Sequence, residues 1–284
     1  MSSLLDMFPQ LPVSQWIANF IDWITANFNV LFDSLNEFGT FSMEWMTRLL
    51  MFIPPLAFIV IVMVIAYFVT GKKFGLAIFA GIGLLYIHNQ NLWGNMMNTL
   101  TLIIVASLIS IVIGVPLGIL MAKSDTAQKI IQPVLDFMQT MPAFVYLIPA
   151  VSFFGIGMVP GVFASVIFAL PPIVRFTNLG IRQVPEELVE AADSFGSTSW
   201  QKLFKVELPN AKSTIMAGAN QTVLLALSMV VTASMIGAPG LGTNVLTALQ
   251  RGQAGAGFVS GFALVVLAIV IDRILQSTNK ERSN

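Results

Sequence analysis

The chain has 284 residues, of which 56% are hydrophobic and only 10% charged, and its mean hydropathy is +0.83. Soluble domains carry roughly 25% charged residues, so an ordinary soluble fold is excluded and a multi-spanning membrane protein is implied. A net charge of zero excludes a basic nucleic-acid binder, and the absence of cysteine excludes disulfides, thiol catalysis and Cys-based metal sites.

The N-terminus does not read as a cleaved signal. Asp6, Pro9 and Pro12 interrupt any apolar core, and no basic segment precedes one. Trp16, Ile17, Phe20, Ile21, Trp23, Ile24 and Phe28 then form an apolar, Trp-bearing side broken by Asn19, Asp22 and Asn27. That pattern fits a helix lying in the membrane interface or one packed against a bundle. Residues 1–48 are therefore expected to form an external amphipathic tail, and residues 49–284 a transmembrane domain.

A span needs about 20 mostly apolar residues. Seven stretches approach this: 49–70, 74–93, 100–122, 141–154, 159–178, 215–237 and 258–275. The second ends in the polar run His88-Asn89-Gln90-Asn91, and a dense breaker cluster at Gly155–Gly161 separates the fourth from the fifth. His88 is the only histidine, so no histidine cluster can hold a metal, and it reads as an interface residue. Gly114 and Gly118 fit a close contact between helices.

Lys and Arg accumulate on the cytoplasmic side of a membrane. With the loop around Glu190 inside, seven spans put the N-terminus outside and the C-terminus in the cytoplasm. Lys72, Lys73, Lys123, Lys129, Arg182, Lys202, Lys205, Lys212, Arg273, Lys280 and Arg282 then all fall inside, and Arg175 lies near an inner span end. Only Arg48 and Arg251 of the 14 basic residues fall outside. No Asp, Glu or Lys sits at mid-span, which argues against a proton- or ion-coupled carrier. Paired acids, a Ser/His set and metal ligands are equally missing there, which argues against an intramembrane enzyme.

The loop at 182–212 is charged and amphipathic within this apolar chain. Pro185 suits the first position of a helix, and Glu186 and Glu187 suit its first turn. Leu188, Ala191, Ala192 and Phe195 fall at i, i+3, i+4 and i+7, one apolar stripe. Gly196 suits a left-handed cap. Ser197 and Thr198 can start a second short helix carrying Trp200, Leu203 and Phe204, which Pro209 is expected to stop.

Glu190-Ala191-Ala192, three residues to Gly196, then nine to Val206-x-Leu208-Pro209 resembles the EAA–x3–G–x9–I–x–LP loop of ABC importer permeases. Val206 stands where that family usually has Ile. Further segments resemble the type I permeases for glycine betaine, proline and related osmoprotectants. These are Gln139–Pro149, Gly155–Gly161, Thr177–Pro185, Ile236–Gly242 and Ile269–Ile274, so the likeness covers about residues 95–276. The resemblance implies an all-α integral membrane permease with about seven transmembrane helices, preceded by the amphipathic tail. It also implies that Glu190, Ala191, Ala192, Gly196, Val206, Leu208 and Pro209 couple the chain to an ATPase. Two such ATPases, a homodimer of this chain and an extracellular or periplasmic substrate-binding protein are expected. ATP and Mg belong to the ATPase, because this chain has no G-x4-GK[ST] loop: Gly71-Lys72-Lys73 lacks the upstream glycine and the Ser/Thr.

Pro142 and Pro149 free backbone carbonyls that either line a translocation pathway or are satisfied by packing. Together with Phe144 and Tyr146 they are the expected pathway residues, for a small zwitterionic solute. Quaternary ammonium groups favour aromatic faces, and Phe144, Tyr146, Phe153 and Phe154 are the candidates. An importer for another solute such as an amino acid is the alternative within the class; an ion-driven carrier or an osmotic channel is the alternative outside it.

Overall fold

The computed structural model describes residues 11–280, and all regular structure among them is helical. Asp6, Pro9, Arg282 and the side chain of Lys280 lie outside the described residues. In chain order the helices are α1 (Val13–Phe52), α2 (Pro55–Val69), α3 (Phe74–Asn89), α4 (Trp93–Lys123), α5 (Asp125–Thr140), α6 (Leu147–Phe154), α7 (Met158–Arg182), α8 (Glu186–Ser194), α9 (Ser199–Lys202), α10 (Leu208–Ser234), α11 (Leu241–Gln250) and α12 (Ala254–Lys280). The seven apolar stretches fall on these helices, the first divided between α1 and α2 and the fourth beginning in a 3-10 turn before α6.

Four helical runs are long and apolar enough to cross a membrane: α4, α7, a continuous run Ser199–Ser234 that includes α10, and α12. Two bent helix pairs are long and apolar enough only when each pair is taken together, as a broken span or a re-entrant loop. α1 and α2 meet at 90°, and α5 meets the segment Ala143–Phe154 at 108°. Both breaks sit at prolines. Ile53 before Pro54 and Met141 before Pro142 have extended ψ values of 122° and 136°, since a following proline disfavours the helical region. α3, with 16 residues, is the short apolar helix of the set.

Several expected boundaries move. α1 is one 40-residue helix that runs past Leu49 to Phe52, so the first apolar stretch is divided between the end of α1 and α2, which starts at Pro55. It bends at Phe28, where the Asn29 side-chain oxygen takes the Val30 N–H at 2.6 Å and intrudes on the ladder. Its two halves differ in their contacts. Trp16, Ile17, Phe20 and Trp23 are exposed, whereas Phe32 stacks on Phe153 at 4.8 Å and Thr47 shares a 2.8 Å hydrogen bond with Thr101. α4 begins at Trp93 rather than at residue 100, because the turn falls at residues 90–91, where the polar run ends, with Asn91 at φ +55°. His88 meets Trp93 edge-on at 5.7 Å.

α7 is the central helix, packed between α4 and α10 through glycines. A Cβ on Gly118 would come within 2.6 Å of the Val174 carbonyl oxygen, one on Gly114 within 2.3 Å of Ile173, and one on Gly218 within 2.6 Å of Phe176. Lipid tails are as apolar as Leu, so close backbone approach and van der Waals contact hold such helices together. Beside the buried Pro171-Pro172 pair, the Thr222 hydroxyl donates to the Ala169 carbonyl at 3.0 Å.

At the end of the bundle opposite the Glu190 loop, the two glycine-rich turns meet: the Gly157 N–H donates to the Ile236 carbonyl at 2.9 Å. Residues 237–242 do more than turn. They launch α11, which has 10 residues and therefore extends about 15 Å, half of a hydrocarbon core of about 30 Å. That is too short to cross the core by itself. Its first residue, the fully buried Leu241, donates its N–H to the Thr99 hydroxyl at 2.9 Å. Thr99→Val, nearly isosteric, is expected to leave that N–H unpaired and to destabilise the protein by about 1–3 kcal/mol, read as a lowered thermal transition in detergent.

Candidate functional site

Val184 is buried and Pro185 is extended (ψ 132°), standing just before α8 rather than as its first residue. Glu186 and Glu187 fill the first turn of α8, where the helix dipole favours carboxylates. The end of α8 is a Schellman motif: Gly196, at φ +74°, donates to the Asp193 carbonyl at 2.9 Å, and Ser197 donates to the Ala192 carbonyl at 3.0 Å. Thr198 and Gln201 then form a reciprocal capping box that starts α9. Lys202 reaches back to Asp193 at 2.8 Å and fastens the two helices into one unit.

The expected stripe on α8 exists but the chain does not cover it. Only Ala192 is buried. Leu188, Glu190 and Ala191 are exposed, and Phe195 is 90% exposed. Among the described residues no cation pairs with the Glu190 carboxylate. Trp200 and Phe204 stack with centroids 5.6 Å apart and are also exposed, beside a groove of about 790 Å³ floored by Pro116, Ile119 and Leu120. These apolar side chains are held outward by a short helix closed at its C-terminal end by the Gly196 motif.

Pro209 does not stop the second helix. A π turn over Leu203–Glu207 joins α9 to α10, and the Leu208 N–H bonds the Leu203 carbonyl, five residues back. The wider turn lets Pro209, which has no N–H to give, enter at the start of α10 without breaking the rod. Val206 and Leu208 are half-buried and Pro209 is exposed.

Sequence reasoning missed the contacts that hold this loop. Glu207, at the unspecified position between Val206 and Leu208, is buried and pairs with Lys123 at the end of α4. Arg182, at the end of α7, donates to the Met121 carbonyl at 2.9 Å and to Asp125 at 2.7 Å. Its guanidinium holds the Asp125 carboxyl below the usual range, through both the hydrogen bond and the charge. A buried acid in an apolar run, and a cation where a span ends, were the only local signals. The amphipathic α5 was missed as well; its Asp136 pairs with Arg175 of α7.

The expected pathway residues sit on the segment after the α5 break. Pro142 and Phe144 are exposed and Pro149 is half-buried. Tyr146 is buried, with its hydroxyl donated to the Met138 carbonyl. Phe144 and Tyr146 therefore do not share a face, and Phe153 and Phe154 belong to a separate aromatic group with Phe32 and Phe163. The four aromatics do not converge on one cage.

Comparison with known proteins adds an independent line. Residues 114–281 match the family described as the binding-protein-dependent transport system inner membrane component. The chain is 58% identical over 278 residues to the glycine betaine/carnitine transport permease protein GbuB of Listeria monocytogenes, covering 96% of this chain and 97% of that one. It is 47% identical to the glycine betaine transport system permease protein OpuAB of Bacillus subtilis, covering 99% of each. It is 46% identical to the glycine betaine/proline betaine permease protein ProW of Escherichia coli, covering 98% of this chain and 79% of that one. The fold is similar to that of the MetNI methionine ABC transporter in an inward-facing crystal form, with a TM-score of 0.59 and 23% identity over 66% of this chain and 95% of that one. A multi-pass helical bundle, an open capped loop and a family match over more than half its length agree: the chain belongs to the binding-protein-dependent transport system inner membrane components, permease subunits that carry solute in partnership with an ATPase and a substrate-binding protein.

Proposed function

We propose that this chain is the membrane-spanning subunit of an ATP-driven importer for compatible solutes, glycine betaine first among them. The observation that carries the reading is α8, an apolar face and an unpaired Glu190 presented outward on a helix closed at its C-terminal end by the Gly196 motif. In this reading Glu190, Ala191, Ala192, Gly196, Val206, Leu208 and Pro209 seat and support the ATPase contact. The domain division at about residue 48 and the loop 182–212 follow the same assignment, with residues 1–48 an external tail. The relatives bearing glycine betaine names, at 46–58% identity across nearly the whole chain, favour that solute over an amino acid.

One loop per chain offers one ATPase seat, so the working unit is two copies of this chain, two ATPases and one external binding protein. ATP and Mg are held by the ATPases. The basic residues orient the chain with the N-terminus outside and the C-terminus cytoplasmic, in the cell or inner membrane. Pro142, Phe144 and Pro149 line the solute path after the 108° break, and Tyr146 braces that break from behind.

Reconstitution in vesicles with and without the cognate ATPase and binding protein tests this directly, by radiolabelled glycine betaine uptake. Uptake requiring both partners and ATP is expected. Uptake by this chain alone would overturn the importer. ATP turnover without betaine uptake in the full set would keep the importer and reassign the solute.

A further inference from the structure

The loop that carries α8 has two stems, the end of α7 before it and the π turn after it. Each stem is tied by charge to the same short corner between α4 and α5, residues Met121 to Asp125. On one side the Arg182 guanidinium holds the Met121 carbonyl at 2.9 Å and the Asp125 carboxylate at 2.7 Å. On the other, Glu207 pairs with Lys123, and the Glu207 side chain is only 5% exposed. Two charged ties from opposite stems onto one five-residue corner leave the loop little freedom to move without it.

We propose that this bracket, Arg182–Asp125 and Glu207–Lys123, transmits displacement of the α8 loop to the α4–α5 corner. Movement of α8 reaches α5, and through the 108° break it reaches α6, where the proposed solute path lies. Arg182, Asp125, Lys123 and Glu207 are positioning residues that touch no solute. The π turn supplies the give. Its looser ladder sits directly under Glu207, and such turns concentrate at functional sites. Glu207 is the buried member of the four and Asp125 is exposed, and the two pairs together hold both stems to the corner. The inference rests on the importer reading above and names how its loop acts.

The test uses the full complex of permease, ATPase and binding protein in vesicles, measuring betaine uptake per ATP hydrolysed, with assembly checked separately by co-purification. Lys123→Glu and Glu207→Lys are each expected to lower that ratio by about tenfold, in the range of ordinary coupling between sites. The exchange Lys123→Glu/Glu207→Lys is expected to restore it. Asp125→Ala removes an exposed carboxylate that insertion does not need, and is expected to lower the ratio by about fivefold. An Asp125→Ala complex with the wild-type ratio would overturn the proposal even if the single reversals fail to insert. So would an assembled exchange variant that does not recover. Absence of ATP-dependent uptake in the wild-type complex would instead strike at the importer reading itself.

Discussion

Gly196→Pro is expected to abolish uptake, by about a hundredfold, the upper end of coupling between linked sites, while leaving the chain inserted in the membrane. Gly196 holds φ at +74°, which proline cannot adopt, and its N–H closes the α8 cap on Asp193. The substitution removes that bond, about 1 kcal/mol in itself, and forces the end of α8 to unwind. Phe195 and the Lys202–Asp193 tie then lose their placement. Glu190→Lys reaches the same end by a different route. Its carboxylate is exposed and has no partner within the described residues, so reversal should change stability by no more than about 0.5 kcal/mol. Loss of ATPase co-purification in Glu190→Lys, at unchanged thermal stability, would separate a docking role from a folding role. Normal uptake with intact ATPase association in both variants would remove the coupling assignment.

The second large effect is expected at the opposite end of the bundle. A Cβ on Gly242 would lie 2.4 Å from the Val230 carbonyl oxygen, 2.9 Å from its carbon and 3.0 Å from the Val231 Cα. All three are backbone atoms of α10, so no rotamer change relieves the clash, and α11 must lift from α10. Overpacking of this kind costs about 1–3 kcal/mol or more. Gly242→Ala should therefore lower the thermal transition by roughly 5–10 °C. Leu241 would be drawn from its seat on Thr99 at the same time. Gly257→Ala is the internal control: its added carbon would meet Ala248 at an ordinary 3.5 Å, and it should be silent or slightly stabilising. Equal transitions for the two variants would show that α11 is not held by this contact.

What was legible in the sequence was local. The apolar stretches announced the apolar helices, although seven were expected to span and four, or six with the bent pairs, are long and apolar enough among the described residues. The cap of α8, the glycine turns at 155–161 and 237–242, and the Gly114–Gly118 contact were readable because each depends on residues within one turn or one helix face. The Pro209 expectation failed on a local rule, since proline normally ends a helix. The π turn that admits it is stabilised by what α10 packs against, which no local pattern encodes. α5 was overlooked because a bend at Met141-Pro142 and packing onto α7 turn a polar connection into a structural helix.

The sequence by itself determined the class of protein, its apolar helices and the polar, amphipathic loop at 182–212, because hydropathy and motif spacing act over a few residues at a time. Only the tertiary structure decided how that loop is held. Lys123 and Glu207 are 84 residues apart, and Arg182 and Asp125 are 57 apart. Their pairing exists because glycines let α4, α7 and α10 approach closely enough to bring the four charges to one corner. Whether a buried acid is a liability or a link depends on the partner that packing delivers to it.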